Sequence, residues 1–369
     1  MGERVPPGSG QPSVGKASAV ARLPATMRAV RFDSGTGELT LETVPLPELD
    51  VDEVLVKVEA GGICDSDVDL IDGRVKPHLR VITPGHEAAG VVAAVGSRVK
   101  AWIPGDRVVM AAGRECGMCA ECGVGCGWQN CSDLQMMALH YDGAWAEYAV
   151  TSATALVAVP SSISLEHATV LSGSVSTPYA AMDTARLRVA EAVGVWGLGG
   201  LGTHLIQLAR ICGASPIVAL DERPAARERS LERGADVALD PANSRVCRYI
   251  KEITKGQGLD VAFDLLGGMP DFGQAQAALG RRGRLVVVGT TPDVMQRQQR
   301  LTLTGNSQTI ISHSGYRVRH LQDSVELTHR GRLDVSASIT AVLPLEQAQE
   351  GVRRMRDHDG DPVRLLLRP

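Results

Sequence analysis

The stretch VGVWGLGGLGTHLIQLARICGASPIVALD, residues 193–221, decides the fold of this chain. It opens on four small or apolar residues, passes through a glycine-rich turn, and continues with apolar residues spaced along one helix face. A second apolar run, Ile217–Leu220, then ends at Asp221. This order predicts a strand, a glycine turn, a helix and a second strand, the arrangement that binds dinucleotides.

The glycines of this turn have distinct predicted roles. Gly197 makes the tight bend, Gly199 lets the backbone approach a pyrophosphate, and Gly202 permits close packing of the helix. The phosphates would lie at the helix N-terminus. The predicted cofactor-binding turn consists of Gly197, Leu198, Gly199, Gly200, Leu201 and Gly202.

Asp221 follows the glycine turn by about 20 residues, where a carboxylate accepts hydrogen bonds from an adenosine ribose and repels a 2′-phosphate. NAD is therefore favoured over NADP as the cofactor. Arg223 and Arg227 follow closely and would soften that repulsion, so NADP stays the second choice. A helix-capping or solvated role for Asp221 is the alternative.

The composition is that of a globular enzyme with about two domains. The chain has 369 residues, 44% of them hydrophobic, and a formal charge of −4. Without a basic stripe or an apolar run of about 18 residues, neither nucleic acid nor a membrane is expected as a partner. Residues 1–26 are rich in Pro, Gly, Ser and Ala and are expected to form a disordered tail, with the cytoplasm as the expected compartment.

The apolar pattern predicts an α/β fold class with two kinds of domain. From Met27 onward, apolar runs broken by Gly and Pro predict a mostly-β domain. From Val193 onward, strands and helices alternate, which predicts a Rossmann-type, doubly wound parallel sheet. Beyond about Ser314, two helical patterns precede a last strand at residues 363–367.

Most of the eight cysteines lie between Cys116 and Cys131. Cys116, Cys119 and Cys122 are separated by two-residue gaps, and Cys131 follows in the same loop. Four thiolates so close in sequence predict a closed, tetrahedral zinc site, which is structural because no position remains for substrate. Cys126 is a competing fourth ligand.

A second, open metal site is the interpretation of two further pairs of side chains. Cys64 with Asp67, and His86 with Glu87, supply thiolate, imidazole and carboxylate groups at turns that follow predicted strands. These are zinc-binding groups. Taken alone each pair is a weak signal, because a lone His or Cys is more often a packed core residue.

Four motifs stand in a specific order along the chain, namely GGICDSD at 61–67, PGHEAAGVV at 84–92, CGMCAEC at 116–122 and VWGLGGLG at 195–202. In these motifs the chain resembles the zinc-containing medium-chain dehydrogenase/reductase family, which includes alcohol and polyol dehydrogenases. The resemblance covers nearly the whole chain after Met27.

The resemblance implies a GroES-like catalytic domain made of residues 27–174 and 315–369, with the Rossmann domain, residues 175–314, between them. Substrate would bind in the cleft between the two domains. The resemblance also implies a homodimer or homotetramer joined at the sheet edges of the cofactor domains, with residues 301–311 as a candidate strand for that contact.

The resemblance further implies roles for residues of the open site. Cys64 and His86 would bind a catalytic zinc ion, with Glu87 either behind these ligands or as an exchanging ligand. Asp67 would orient His86. Arg364, in the last strand, would balance the carboxylates near the metal.

Two positions depart from the family's pattern. Gly173 falls where the family has its third zinc ligand, so the open site would depend on Glu87 or would have lost its metal. Asp69 stands where many members have a histidine that relays protons. Ser66 matches the hydroxyl that passes the substrate proton onward.

The predicted function is the NAD(H)-dependent interconversion of a small-molecule secondary alcohol and a ketone by zinc-assisted hydride transfer. A polyol, a cyclitol and a natural-product intermediate are candidate substrates. Ser66 and Asp69 would remove the proton, Glu87 would act beside the metal, and Trp145 is expected to line the substrate cleft. The alternatives are a zinc-independent NAD(P)H-dependent reductase of an activated alkene or quinone, and a non-catalytic nucleotide-binding homologue.

Overall fold

The computed structural model describes residues 23–124, 130–289 and 300–369. Most of the predicted tail, residues 1–26, lies outside these ranges, and the first strand begins at Thr26. No helix within the three ranges is both long enough and apolar enough to cross a membrane.

The first ten strands precede residue 160. Strands β1 to β10 are Thr26–Asp33, Glu38–Pro45, Glu53–Ile63, Val81–Ile82, Ala88–Val95, Arg107–Met110, Gly113–Arg114, Gln135–Met136, Tyr148–Ser152 and Leu156–Ala158. Strands β11 to β18 are Val193–Trp196, Ile217–Leu220, Val237–Leu239, Leu259–Asp264, Leu279–Val287, Thr309–Ser312, Ile339–Pro344 and Arg364–Arg368.

The helices are short and fall mainly between the later strands. Helices α1 to α11 are Asp65–Ile71, Ala120–Gly123, Leu165–Val170, Ser176–Ala185, Gly200–Ile211, Pro224–Glu232, Val246–Ile253, Met269–Ala278, Arg300–Gly305, Val318–His329 and Ala348–Arg356. A π-helical segment, Leu171–Val175, joins α3 to α4. Single 3-10 turns lie at Ala153–Ala155, Ser336–Ser338 and Leu345–Gln347.

Strands β1, β2 and β4 form a small sheet of their own, whereas strands from before residue 160 and the last two strands form one larger mixed sheet. Its order is β10-β6-β5-β3-β18-β17, with β9 also paired to β3. Strand β18 is antiparallel to β3 and parallel to β17. The last segment of the chain therefore returns to the mostly-β part that the first segment builds.

The strands from β11 to β16 form a parallel sheet in the order β13-β12-β11-β14-β15-β16. The chain first moves outward from β11 to β13 and then returns to the other side of β11 with β14. This is the doubly wound order, and its switch point lies between β11 and β14. The predicted strand, glycine turn and helix are confirmed as β11, the turn and α5.

The two faces of the parallel sheet are both covered. Val193 and Val195 of β11 pack into one buried cluster, whereas Trp196 packs into another with Val218 and Leu220 of β12. Strands buried on both faces are apolar at every position rather than at alternate positions. This explains the continuous apolar runs of the sequence.

The predicted strand over residues 301–311 is wrong in its first half. Arg300–Gly305 is the helix α9, and only Thr309–Ser312 forms a strand, at the edge of the parallel sheet. The reason is topological, because β15 and β16 are parallel and a parallel pair needs a crossover connection.

Candidate functional site

Cys64, His86 and Glu87 form one cluster. One ligand atom of each residue, the thiol sulfur, a ring nitrogen and a carboxylate oxygen, lies within 4.8 Å of the others. Glu87 is fully buried, while Cys64 and His86 are half-buried. The cluster therefore brings three zinc-binding groups together, and two of the three side chains remain partly accessible to solvent.

Strand pairing brings this cluster together. Cys64 directly follows β3, and Glu87 directly precedes β5, which is antiparallel to β3. Strand β18 lies on the other side of β3 and begins at Arg364. Three strand ends thus meet at one edge of the mixed sheet, although β18 is the last strand of the chain.

Asp67 lies beside both Cys64 and His86. Its Oδ2 accepts a hydrogen bond of 2.9 Å from the Cys64 N–H, and its Oδ1 lies 3.4 Å from His86 Nδ1. Burial lowers the pKa of His86, but the Asp67 carboxylate and the Cys64 thiolate together raise that pKa overall. A hydrogen bond at Nδ1 directs the Nε2 lone pair away from Asp67, as in histidines that bind metals.

Gly173 and Glu87 are complementary in space. A Cβ atom built on Gly173, in the π-helical segment, would lie 2.2 Å from Glu87 Oε1. A Cβ built on Gly62 would lie 2.5 Å from Glu87 Oε2. The Glu87 carboxylate therefore takes the room that a side chain at position 173 would need.

Arg364 and Ser174 surround the Glu87 carboxylate from the other side. Arg364 Nε lies 3.2 Å from Glu87 Oε2 and donates to Ser174 Oγ at 2.7 Å, and Ser174 in turn donates to Glu87 Oε1 at 3.2 Å. Burial lowers the pKa of Arg364, but the negative charges of Glu87, Cys64 and Asp65 together raise it overall. The predicted charge balance between Arg364 and Glu87 is present in the fold.

Arg364 also reaches the glycine turn. A Cβ built on Gly200 would lie 2.8 Å from Arg364 Nη2. The turn itself is tight, since Gly197 has a φ of +93° and a Cβ on Gly202 would lie 1.9 Å from the Gly197 carbonyl oxygen. A Cβ on Gly199 would meet nothing within 4 Å. The turn is therefore packed at Gly202 and open at Gly199.

These contacts predict different effects for two substitutions in the turn. We expect Gly202→Ala to lower the free energy of unfolding by about 3 kcal/mol, because its methyl group meets backbone. We expect Gly199→Ala to leave stability nearly unchanged but to weaken dinucleotide binding about tenfold, because its methyl group enters the space the pyrophosphate would approach. Urea unfolding and NADH titration measure the two effects, and equal loss of stability in both variants would contradict the expectation.

Asp221 lies at the end of β12, beside the turn. Its Oδ2 accepts a hydrogen bond of 2.8 Å from the Leu198 N–H, and Arg223 forms an ion pair of 3.0 Å with Oδ1. Burial raises the pKa of Asp221, but hydrogen bonds from Arg223 outweigh it and lower that pKa. Leu201, also predicted in the turn, lies in the first turn of α5.

The four predicted structural cysteines meet in a second cluster. The sulfur atoms of Cys116, Cys119, Cys122 and Cys131 all lie within 4.8 Å of one another. Hydrogen bonds from the backbone of Ser132 and then of Cys122 lower the pKa of Cys119 to about 5, which favours its thiolate. The competing ligand Cys126 lies outside the described residues. The cluster has the donor set of a closed zinc site.

The two residues predicted to transfer the proton, Ser66 and Asp69, lie on α1. Ser66 is exposed, two positions after Cys64. Asp69 already has a hydrogen-bond partner, because its Oδ1 accepts a hydrogen bond of 2.6 Å from Arg74 Nε. The expectation that Trp145 lines the cleft is wrong, because its ring is fully buried and its Nε1–H donates to the Gly62 carbonyl.

Two residues that contact the predicted site residues were not predicted from the sequence. Ser174 joins Arg364 to Glu87 and carries no signal in the sequence that indicates this contact. Asp361, which pairs with Arg223 at 2.9 Å, carried no signal, because it lies in a polar turn far along the chain. The segments around Arg223 and Asp361 both contain several Asp and Arg residues. This composition does not indicate which of them form ion pairs.

Two family models match the chain. The alcohol dehydrogenase GroES-like domain matches residues 50–161, and the zinc-binding dehydrogenase model matches residues 200–330. A sorbitol dehydrogenase of Bacillus subtilis is 29% identical over 351 residues, which cover 94% of this chain and 98% of that protein. An NAD-dependent alcohol dehydrogenase of Sulfurisphaera tokodaii is 30% identical over 90% of this chain and 97% of its own.

A comparison with solved structures also finds alcohol dehydrogenases. An alcohol dehydrogenase from Thermus sp. ATN1 superimposes with a TM-score of 0.87 at 26% identity, over 93% of this chain and 99% of that chain. The α/β fold thus combines a GroES-like domain with a Rossmann-type domain. The relatives establish an alcohol oxidoreductase that uses a nicotinamide cofactor and zinc on a small alcohol or ketone. The chain belongs to the zinc-containing alcohol dehydrogenases of the medium-chain dehydrogenase/reductase family.

Proposed function

We propose that this enzyme interconverts a secondary alcohol and a ketone with NAD(H), and that Cys64, His86 and Glu87 hold its catalytic zinc. The observation that carries the proposal is the convergence of their three ligand atoms within 4.8 Å. Three protein ligands leave a fourth position open, as in catalytic zinc sites. The relatives named for sorbitol and for NAD-dependent alcohol oxidation support a hydroxyl substrate and NAD.

The residues fit a zinc ion by their chemistry. Glu87 Oε2 is buried and accepts no hydrogen bond from the described residues, although Arg364 Nε lies 3.2 Å away. A buried carboxylate oxygen without a donor is costly unless a cation serves it. With Gly173 in place of the family's third ligand, the carboxylate that completes the set comes from Glu87.

The chain's own residues support the chemistry as follows. Zinc at this position supplies a Lewis acid that lowers the pKa of the substrate hydroxyl. Ser66, exposed on the first turn of α1, takes that proton and passes it to solvent. A further relay through Asp69 requires the ion pair with Arg74 to open. Asp67 fixes the ring of His86, so that the donor set is oriented before substrate binds.

The cofactor is assigned to the crevice beside the glycine turn. Gly199 and Gly200 offer backbone N–H groups at the start of α5 for a pyrophosphate. We assign Asp221 to hydrogen bonding with the adenosine ribose, with Arg223 beside the same ribose. A nicotinamide held there would supply the acceptor for the hydride of the alcohol carbon.

The test is the zinc content of the full chain, purified without chelator, before and after Cys64→Ala. We expect about two zinc ions per subunit in the unchanged protein and about one in the variant, because the four-cysteine cluster keeps its own ion. Cys212→Ala, which removes an exposed thiol, is the matched control and should retain about two.

A different stoichiometry would overturn the proposal. About one ion in both proteins would mean that only the four-cysteine cluster is metallated. The zinc-independent reductase would then be the better function, and the enzyme should reduce activated alkenes or quinones with NAD(P)H. Turnover of secondary alcohols that is lost together with the Cys64-dependent ion supports the proposal.

A further inference from the structure

The Asp221 carboxylate has no free hydrogen-bonding position among its described neighbours. Its Oδ1 accepts from the Arg223 backbone N–H at 2.9 Å and from Arg223 Nε at 3.0 Å. Its Oδ2 accepts from the Leu198 N–H at 2.8 Å and from Arg223 Nη2 at 3.0 Å. A carboxylate offers about four lone-pair positions. A ribose hydroxyl that binds Asp221 must therefore displace part of the Arg223 side chain.

Arg223 has a second carboxylate partner that comes from the end of the chain. Asp361 Oδ1 accepts from Arg223 Nη1 at 2.9 Å, and Asp361 Oδ2 accepts from Arg229 Nη1 at 2.6 Å. Arg229 also donates to the Leu198 carbonyl, in the glycine turn, at 3.3 Å. Asp361 lies three residues before Arg364, so both side chains reach the crevice from the start of the last strand.

The charges of this group cancel. Asp221 and Asp361 carry two negative charges, and Arg223 and Arg229 carry two positive charges. The neighbouring Arg227 donates to the backbone carbonyls of Asp221 and Glu222 at 2.7 and 2.8 Å, and its nearest carboxylate, Asp240, is 3.8 Å away. Without Asp361 the two guanidinium groups beside Asp221 would carry an excess positive charge.

We propose that Asp361 determines cofactor specificity by keeping Arg223 and Arg229 from serving a 2′-phosphate. The inference rests on the proposed function of the crevice. When a ribose takes the Asp221 oxygens, Arg223 keeps Asp361 as its partner. A 2′-phosphate would instead have to draw Arg223 or Arg229 away from Asp361, and its charge would lie close to two carboxylates. NAD(H) binds at no such cost.

The test is direct binding of NADH and NADPH to the full chain, followed by the fluorescence of the reduced nicotinamide. Asp361→Asn keeps the shape of the side chain and removes its charge. We expect the ratio of the NADPH and NADH dissociation constants to fall about tenfold, mainly through tighter binding of NADPH. Asp359→Asn, in the same turn but paired with Arg353 at 2.7 Å, is the matched control and should leave the ratio unchanged.

Two further variants keep the test decisive if Asp361→Asn folds poorly. Asp361→Glu retains the charge and should retain the preference for NADH. Arg223→Ala removes a guanidinium that a 2′-phosphate could draw to itself, and should weaken NADPH binding relative to the unchanged protein. Equal changes for both dinucleotides would overturn the inference, because Asp361 would then only join two parts of the chain. An unchanged ratio in Asp361→Asn would overturn it as well, while failure of the unchanged protein to bind either dinucleotide would overturn the proposed function itself.

Discussion

Glu87→Gln is expected to lower kcat/KM for alcohol oxidation about a thousandfold or more and to remove about one zinc ion per subunit. The amide keeps the size of the carboxylate but carries no charge and is a poor zinc ligand. Gly173 offers no side chain that could replace the lost ligand. A thousandfold loss corresponds to about 4 kcal/mol of transition-state stabilisation.

The same substitution leaves Arg364 buried without its counter-ion, which costs about 3–5 kcal/mol of stability. Activity and zinc content should therefore be measured at a temperature where circular dichroism reports a folded variant. Glu147→Gln is the matched control, because it breaks another glutamate–arginine pair, 3.0 Å from Arg28, outside the cluster. A Glu87→Gln variant that is less stable yet retains its zinc and turnover would show that Glu87 is only the partner of Arg364.

Cys131→Ser is expected to remove the ion of the four-cysteine cluster and to lower the free energy of unfolding by roughly 5 kcal/mol or more. Cys131 is the buried member of the cluster, and its sulfur accepts a hydrogen bond of 3.3 Å from the Cys116 N–H. The serine hydroxyl does not replace a thiolate in a tetrahedral zinc site. Zinc analysis and urea unfolding of the full chain measure the two losses.

Cys126→Ser provides the comparison for this experiment. If Cys131 is the fourth ligand, Cys126→Ser should keep its zinc and its stability. Loss of zinc in Cys126→Ser with retention in Cys131→Ser would assign the fourth position to Cys126 instead. Neither outcome depends on the open cluster, so turnover and structural zinc can be followed separately.

The local parts of the fold could be predicted because the residues that determine them are close in sequence. The turn around Gly197 and Gly202 needs only a tight bend and a close helix, and both are set within a few residues. The four-cysteine cluster is likewise confined to one loop. The strand predicted over residues 301–311 failed because apolar residues alone do not reveal that a parallel strand must be preceded by a crossover helix.

The open cluster could be named from family motifs but not from spacing. In the sequence Cys64 and His86 are 22 residues apart, and only the pairing of β3 with β5 brings the two strand ends that carry them together. Trp145 was expected to line the substrate cleft, but its side chain is fully buried. The Trp145 ring instead packs against Gly85, where an added Cβ would lie 2.2 Å from the ring.

The sequence by itself determined the Rossmann turn, the cysteine loop and the alternation of strands and helices, because propensity and periodicity act over short stretches of chain. Only the tertiary structure decided that Glu87 fills the space beside Gly173, and that Asp361 holds Arg223 against Asp221. These contacts join residues far apart in sequence. Their geometry depends on strand register and domain packing, which no local pattern encodes.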